Sequence, residues 1–182
     1  MRRASFLTLG LFCLSTAVVA LAGPGDAKKG AQTQPMPGGK ASATIEGRSG
    51  STLTGTAEFS MHSGQMMISV SIKGATPGEH GLHIHEKGDC SAPDATSAGG
   101  HFNPGGHQHG APDAKEHHGG DLGNITVGAD GSGTAMIHTS DLSFEGPSSV
   151  LGRSIVVHEK ADDFVTQPTG NSGGRIGCGV IK

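Results

Sequence analysis

Large aromatic side chains are almost absent from this sequence. Among its 182 residues there is no tryptophan and no tyrosine, and two of the six phenylalanines, Phe6 and Phe12, lie close to the N-terminus. A hydrophobic core must therefore be built mainly from Val, Ile, Leu, Ala and Met. Such a core suits a compact sheet, and it argues against a large pocket that stacks an aromatic ligand.

Basic residues are too few and too scattered to form a nucleic-acid binding surface. Lysine and arginine number 13 against 16 acidic residues, so the net charge is −3 with neutral histidines. Because nucleic-acid binding relies on a basic patch or stripe, we predict no nucleic-acid partner. Glycine is abundant at 32 residues, but it shows no G-X-Y period, which excludes a collagen-like fold.

Residues 1–22 have the features of a secretory signal. Arg2 and Arg3 supply a positive start, residues 6–21 are mostly apolar, and Ala20-Leu21-Ala22 is a small-residue cleavage site. The apolar run is short for a membrane span. We therefore predict export with cleavage after Ala22, a periplasmic or secreted location, and no stable membrane anchor.

Residues 23–39 form a polar segment rich in proline and glycine, which predicts a flexible linker before a folded domain at 40–182. Of the three cysteines, only Cys90 and Cys178 lie beyond the leader. Two cysteines in an exported protein favour one disulfide over two free thiols. A disulfide that closes such a long loop is worth roughly 4 kcal/mol in the loop-entropy model.

The domain is predicted to consist of short strands with one buried face. Apolar and polar residues alternate, as in the run from Ala41 to Glu46. The predicted strands are 41–46, 52–59, 67–72, 82–85, 124–127, 133–137, 154–158 and 177–181. No segment of about ten residues or more shows a helical apolar face. The pattern therefore predicts an all-β sandwich or barrel.

Two loops are too long to serve only as connections between strands. Residues 86–120 and 159–174 show no hydrophobic periodicity. A long loop without regular structure needs another source of order in a compact domain. Metal ligands and a disulfide would provide that order.

Histidines are concentrated in the first long loop and in the strand before it. Eight of the 11 histidines lie between His80 and His118. His83 and His85 are two apart on a predicted strand and share one face, which gives half of a tetragonal copper site. Pairs at this spacing also occur by chance on protein surfaces, so this pair alone does not establish a metal site.

A second group of candidate ligands combines three imidazoles with one carboxylate, the number of protein ligands in a closed tetrahedral zinc site. Its members are His101, His109, His118 and Asp121. Ligand chemistry alone does not distinguish His109 from His107, or His118 from His117. A flexible histidine-rich loop that binds metals loosely is the alternative interpretation.

Three more candidates lie towards the C-terminus. His158 ends the predicted strand 154–158, and Thr169 and Arg175 follow among several glycines. An arginine beside a metal attracts an anion, although a surface ion pair is the commoner role for an arginine.

Five motifs in order resemble those of the copper/zinc superoxide dismutases of the exported bacterial type. They are Gly81-x-His83-x-His85-Glu86, Gly100-His101-Phe102-Asn103-Pro104, Gly120-Asp121-Leu122-Gly123-Asn124, Val157-His158-Glu159-Lys160-Ala161-Asp162-Asp163 and Gly174-Arg175-x-x-Cys178-Gly179-Val180-Ile181. The resemblance extends over about 40–181. It implies an eight-stranded Greek-key β-barrel, an immunoglobulin-like sandwich architecture in which the two long loops are functional.

The resemblance also implies two metal sites with one shared ligand. It places copper on His83, His85, His101 and His158, and zinc on His101, His109, His118 and Asp121. It makes Asp162 a link between copper and zinc ligands, Arg175 the residue that binds superoxide, and Thr169 a residue that narrows the entrance. It pairs Cys90 with Cys178.

The implied activity is that of an oxidoreductase, which converts superoxide to dioxygen and hydrogen peroxide by redox cycling of copper. His101, as the bridging ligand, would take up and return a proton. The alternative is a non-enzymatic, metal-buffering relative. Some domains that resemble superoxide dismutase have lost a copper ligand or the arginine, whereas all six histidines, Asp121 and Arg175 are present here. The sequence leaves both a homodimer and a monomer open.

The remaining histidines match no ligand position. We expect surface positions for four of them, which are His62, His107, His117 and His138. His80 is expected to have a structural role.

Overall fold

The computed structural model describes residues 39–182, which form a closed barrel of eight strands. The strands are β1 (Lys40–Gly47), β2 (Thr54–His62), β3 (Gln65–Lys73), β4 (Gly78–His85), β5 (Asp121–Val127), β6 (Ser132–Thr139), β7 (Ser154–His158) and β8 (Arg175–Val180). A short 3₁₀ helix, Thr96–Ala98, is the one helical element in this part of the chain. The predicted all-β barrel is confirmed.

The predicted signal segment, 1–22, and nearly all of the predicted linker, 23–39, lie outside the described residues. Within residues 39–182, no helix is both long enough and apolar enough to cross a membrane.

Two four-stranded halves make up the barrel. The strand order is β1-β2-β3-β6-β5-β4-β7-β8. The halves β1-β2-β3-β6 and β5-β4-β7-β8 meet along two narrow seams. At one seam Glu46 pairs with Cys178 and Gly47 with Gly177, and at the other Val127 pairs with Gly133. The pairings of β3 with β6 and of β4 with β7 join strands that are not consecutive, as in Greek-key folds.

The core between the halves is aliphatic, as the composition requires. Along β1, Ala41, Ala43 and Ile45 are buried and alternate with exposed polar residues. Phe59 and Phe102 are the buried aromatic residues of this core within the described part of the chain. Burial of these side chains supplies the main driving force for folding.

Strand β4 is buried on both of its faces, and this places the histidine pair. Leu82 and Ile84 belong to the barrel core. His83 and His85 therefore point to the opposite side of the strand, and both have 0% exposure. The loops 86–120 and 159–174 cover this outer side. Only Gly78 and Glu79 of β4 are therefore exposed, and the strand is buried from His80 to His85.

Six strands begin earlier than predicted, and two of them, β5 and β8, begin at a candidate site residue. β5 begins at Asp121 rather than at 124, and β8 begins at Arg175 rather than at 177. Asp121 pairs with His83, and Arg175 pairs with His158. A polar residue at these positions faces the covering loops, so the apolar alternation that marks a strand is missing there.

Cys90 and Cys178 form the disulfide, with an Sγ–Sγ distance of 2.03 Å. It joins the loop 86–120 to β8 on the outside of the barrel. A small apolar cluster that includes Ala95, Ala98 and Val156 packs around it. The disulfide and this cluster therefore hold one end of the first long loop against the sheet.

A substitution in the barrel core tests the packing described above. Leu53 is fully buried and lies so close to Gly177 that a Cβ at position 177 would come within 2.8 Å of Leu53 Cδ2. We expect Leu53→Ala to lower the free energy of unfolding by roughly 2–5 kcal/mol, because it leaves a cavity. Urea denaturation of protein with matched metal content measures this change.

The control for this experiment is Met136→Ala on β6, since Met136 is 59% exposed. Its effect should stay within roughly 0.5 kcal/mol. Equal losses for the two variants would contradict the described core.

Candidate metal centre

Four buried histidines converge on the outer side of β4. His83, His85, His101 and His158 each offer a ring nitrogen, and these nitrogens all lie within 4.8 Å of one another. Two of the residues come from β4 and one from the end of β7. The fourth, His101, lies in the loop 86–120, where it forms an isolated β-bridge with His85.

The loop is held beside β4 by backbone hydrogen bonds. The N–H of Phe102 donates to the carbonyl of Ile84 at 2.8 Å, and the N–H of Ile84 donates to the carbonyl of Gly120 at 2.9 Å. The N–H of Glu86 also donates to the carbonyl of Gly100 at 3.0 Å, so the chain is fixed on both sides of His101 without regular secondary structure. These bonds explain how a loop residue is placed as firmly as the strand residues.

A second group shares His101 with the first. Its members are His101, His109, His118 and Asp121, whose ligand atoms also lie within 4.8 Å of one another. Asp121 Oδ1 lies 2.8 Å from His101 Nδ1, 3.0 Å from His109 Nδ1 and 3.3 Å from His118 Nδ1. The other oxygen, Oδ2, accepts the backbone N–H of Gly110 at 3.2 Å and that of His118 at 2.8 Å. The carboxylate is therefore oriented so that Oδ1 faces the three rings.

Hydrogen bonds to the outer nitrogens of His85 and His158 decide which nitrogen of each ring faces inward. His85 Nδ1 donates to the carbonyl of Gly99 at 2.9 Å, so its Nε2 carries the lone pair. His158 Nδ1 contacts the Ser172 hydroxyl and the carbonyl of Gly173. The Nε2 atoms of His85 and His158 then face each other at 3.3 Å. Such outer partners are what orient metal-binding imidazoles.

Several inward ring nitrogens have no hydrogen-bond partner in the described structure. They are His83 Nδ1, His101 Nε2, His109 Nδ1 and His118 Nδ1. An unpaired buried polar atom costs stability. Four such nitrogens in two neighbouring groups indicate that each group binds a cation. Nitrogen-rich donor sets of this kind suit copper, and three imidazoles with one carboxylate suit zinc. The residues therefore fit both metals.

Asp162 connects the two groups. Its Oδ2 accepts a hydrogen bond from His83 Nε2 at 2.7 Å, and its Oδ1 accepts one from His109 Nε2 at 2.9 Å. Asn124 fixes this residue from β5, because its amide donates to the Asp162 carbonyl at 3.0 Å and accepts the Asp162 N–H at 2.7 Å. One carboxylate thus sets the orientation of a ring in each group.

Arg175 lies beside the first group. Its Nη1 donates to the carbonyl of Ala95 and its Nη2 to the carbonyl of Gly99, at 2.6 and 2.7 Å. The Gly99 carbonyl also accepts from His85, so the guanidinium and this ring share one acceptor. The charge of Arg175 is one of the causes that lower the pKa values of His85 and His158.

Burial keeps the rings of the first group neutral. Burial, followed by the neighbouring imidazole of His101, holds the pKa of His85 well below its ordinary value. Burial also lowers the pKa of His158 well below that value, and it lowers the pKa of His101 to about 4. Neutral imidazole is the form that binds metal. The first group is therefore ready for a metal at neutral pH without loss of a proton.

In the second group, contacts between carboxylates and histidines change the pKa values of His109 and Asp121. Burial disfavours charge on His109, but hydrogen bonds with Asp121 and Asp162 outweigh it and raise the pKa of His109 to about 9. Burial disfavours charge on Asp121 too, but hydrogen bonds from His101 and two further histidines hold the pKa of Asp121 far below its usual range. Metal binding at His109 Nδ1 therefore displaces a proton.

Of the four histidines expected at the surface, His62, His107 and His138 are exposed, whereas His117 is half-buried. His80 is buried, and its ring lies between the carbonyl oxygens of His158 and Thr76, at 2.8 and 2.9 Å.

Thr169 is half-buried in the loop 159–174, and its carbonyl accepts the Ser172 hydroxyl at 2.9 Å. Ser172 in turn contacts His158, so the backbone at 169 supports one of the four histidines of the first group.

Sequence reasoning missed several residues that support the ligands. Asn124 belongs to one of the five motifs, but the motif assigns it no role. No sequence pattern indicates a role for Gly99, Gln167 or Ser172. Gln167 forms two hydrogen bonds with the backbone of His109. A side-chain amide or a glycine carbonyl has no recognisable spacing, so only the fold reveals these contacts.

Gly170 provides a test of the Asp162 link. A Cβ at this position would lie 1.8 Å from Asp162 Oδ1 and 2.6 Å from His109 Nε2, and the backbone has φ of +63°. We expect Gly170→Ala to displace Asp162 and to weaken zinc binding by roughly 10- to 100-fold. Competition with a zinc chelator measures this loss. Gly146→Ala is the control, because Gly146 also has a positive φ but nothing within 4 Å; similar zinc losses in both variants would contradict the clash.

Comparisons with known proteins agree with this geometry. The family described as copper/zinc superoxide dismutase (SODC) matches residues 53–181. A superoxide dismutase [Cu-Zn] of Deinococcus radiodurans is 49% identical over 141 residues, which cover 71% of this chain and 78% of that protein. The crystal structure of the clock protein EA4 superposes with a TM-score of 0.74 at 36% identity, covering 83% of this chain and 98% of that one. The chain belongs to the copper/zinc superoxide dismutase family.

Proposed function

We propose that this chain is a superoxide dismutase, which converts two superoxide anions and two protons into dioxygen and hydrogen peroxide. The observation that supports this most strongly is the pair of buried ligand groups that share His101. A metal-buffering protein needs ligands but has no need of a half-buried guanidinium beside them. Arg175 therefore favours the enzyme over the buffering alternative.

Each group of residues has its own metal in this proposal. Copper is held by the first group, His83, His85, His101 and His158. Zinc is held by the second group, His101, His109, His118 and Asp121. When bound, copper supplies one-electron transfer between two oxidation states, and zinc supplies a fixed positive charge and holds the loop 86–120 in place.

The chain itself contributes binding, orientation and proton handling. Arg175 supplies a positive charge for the superoxide anion, in a protein that is negatively charged overall. His101 Nδ1 lies beside Asp121, 2.8 Å from its Oδ1, and would be committed to zinc with it. His101 Nε2 is therefore the atom that would hold a proton and give it to the forming peroxide. Thr169, in the same loop as Asp162, limits the width of the entrance.

Strands β4 and β7 keep the first group rigid. His83 pairs with Val156 and His85 pairs with Ser154 along the two strands. Because sheet hydrogen bonds fix the ring positions, little rearrangement opposes each change of oxidation state.

Two substitutions test the roles of the copper ligand and of the arginine. We expect His158→Ala to abolish dismutase activity, because it removes one of four copper ligands. Arg175→Ala should lower kcat/KM by at least roughly tenfold and reduce its dependence on salt, because the attraction for the anion is lost. Arg175→Lys should restore part of that salt dependence. Activity is measured on protein loaded with copper and zinc.

His138→Ala is the control, since His138 is exposed on β6. Full activity in His158→Ala would show that the copper assignment is wrong. An active wild type with an unaffected Arg175→Ala variant would remove the arginine from the proposal, and an inactive wild type with both metals bound would favour a buffering protein.

We also propose that the protein is exported and that residues 1–22 are removed, leaving a linker before the domain at 40–182. The apolar leader and its Ala20-Leu21-Ala22 site support this. The disulfide between Cys90 and Cys178 supports it independently, because disulfides persist in oxidising compartments.

N-terminal sequencing of the protein recovered from a bacterial host tests the export proposal. We expect a periplasmic or secreted protein that begins at Gly23. A cytoplasmic protein that keeps residues 1–22 would contradict it.

A further inference from the structure

The two long loops meet at a side-chain amide. The backbone N–H of His109 donates to Gln167 Oε1 at 2.9 Å, and Gln167 Nε2 donates to the backbone carbonyl of His109 at 2.8 Å. The amide thus makes both hydrogen bonds that an opposite residue would make in an antiparallel pair. Gln167 contacts only the backbone of His109 in this way, whereas Asp162 contacts the ring.

His109 depends on such support because it belongs to no strand. It lies in the loop 86–120 and is 4% exposed. Its Nε2 donates a hydrogen bond to Asp162, and its Nδ1 faces Asp121 Oδ1 at 3.0 Å. A small rotation of its backbone would move Nδ1 away from the other ligands. Its buried N–H and carbonyl groups also need partners, and Gln167 supplies one for each.

Gln167 is itself held by a closed turn. Asp163 Oδ1 accepts the N–H groups of Val165 and Thr166 at 2.9 and 2.8 Å. At the base of the turn, the N–H of Asp163 donates to the carbonyl of Gly170 at 2.9 Å, and the N–H of Gly170 donates to that of Thr166 at 2.7 Å. These bonds fix the backbone on both sides of Gln167 and so keep its side chain within reach of His109.

We infer that Gln167 is a positioning residue for His109, and that it controls how tightly the chain keeps zinc. The inference rests on the proposed zinc assignment of His109. Through this contact, the loop that carries Asp162 holds His109 at two points, the ring and the main chain. Loss of either point should loosen the second metal group while the first group, centred on β4 and β7, stays in place.

The test compares Gln167→Ala and Gln167→Glu in the enzyme loaded with copper and zinc. Alanine removes both hydrogen bonds, and glutamate replaces the donor with an oxygen that faces the carbonyl of His109. Gln108→Ala is the matched control, because Gln108 is next to His109 in the chain but is exposed. Zinc affinity is measured by competition with a chelator. Co²⁺ in place of zinc reports ligand geometry through its visible absorption.

We expect both Gln167 variants to bind zinc roughly 10- to 100-fold more weakly and to change the Co²⁺ spectrum. Copper affinity should stay within about threefold of the wild type, and Gln108→Ala should match the wild type throughout. A merely structural role would lower the urea midpoint of Gln167→Ala without changing zinc affinity or the Co²⁺ spectrum, and that result would overturn the inference.

His109→Ala separates this inference from the proposed function. If His109→Ala loses zinc while the Gln167 variants keep wild-type affinity, the zinc site stands and the positioning role is wrong. If His109→Ala also keeps zinc at wild-type affinity, the proposed zinc assignment is wrong, and the inference is wrong with it.

Discussion

Burial of polar ligands outside the hydrophobic core is the constraint on which this structure depends. Six histidines and Asp121 are almost fully removed from water, and polar groups in such surroundings must be paired or bound. The chain pairs the outer ring nitrogens of four of these histidines, His83, His85, His109 and His158, with a carbonyl, a hydroxyl or a carboxylate. The hydrogen bonds that offset the cost of burial therefore also orient the candidate ligands. Stability and the geometry of the metal centre come from one set of hydrogen bonds.

Different contacts hold the two long loops in place. The loop 86–120 is fixed by the disulfide at Cys90, by backbone bonds to β4 and by the ligands that it carries. The loop 159–174 is fixed by short turns and by Asn124, and it reaches back to the first loop through Asp162 and Gln167. Neither loop has enough apolar side chains to pack independently. Each therefore completes the other, and the ligands lie where they meet.

Part of this could be predicted from the sequence for clear physical reasons. The alternation of apolar and polar residues in β1 to β3 indicates strands with one solvent-exposed face. His83 and His85 share a face because side chains alternate along a strand with a period of two. The choice of His109 over His107 came from family resemblance, since both residues are imidazoles in the same loop. The structure gives the physical difference: Asp121 and Asp162 lie on either side of the His109 ring, whereas His107 is paired with the exposed Glu116.

Other features could not be read from residue patterns. The starts of β5 and β8 were missed because Asp121 and Arg175 lack apolar alternation, although both pair with histidine-bearing strands. The contacts of Gly99, Asn124 and Gln167 join residues far apart in sequence through groups that occur everywhere in proteins. Such contacts depend on the closed barrel, which brings the loops together only after the strands are paired.

The narrow seams of the barrel bear on how the molecule moves. All seven candidate ligands, together with Asp162 and Arg175, come from β4, β5, β7, β8 and the loops between them, which is one half of the barrel. Breathing motions that part the two sheets along the seams therefore do not separate one ligand from another. The β1-β2-β3-β6 half supplies core side chains but none of these groups, so the geometry of the centre depends on a single sheet and its loops.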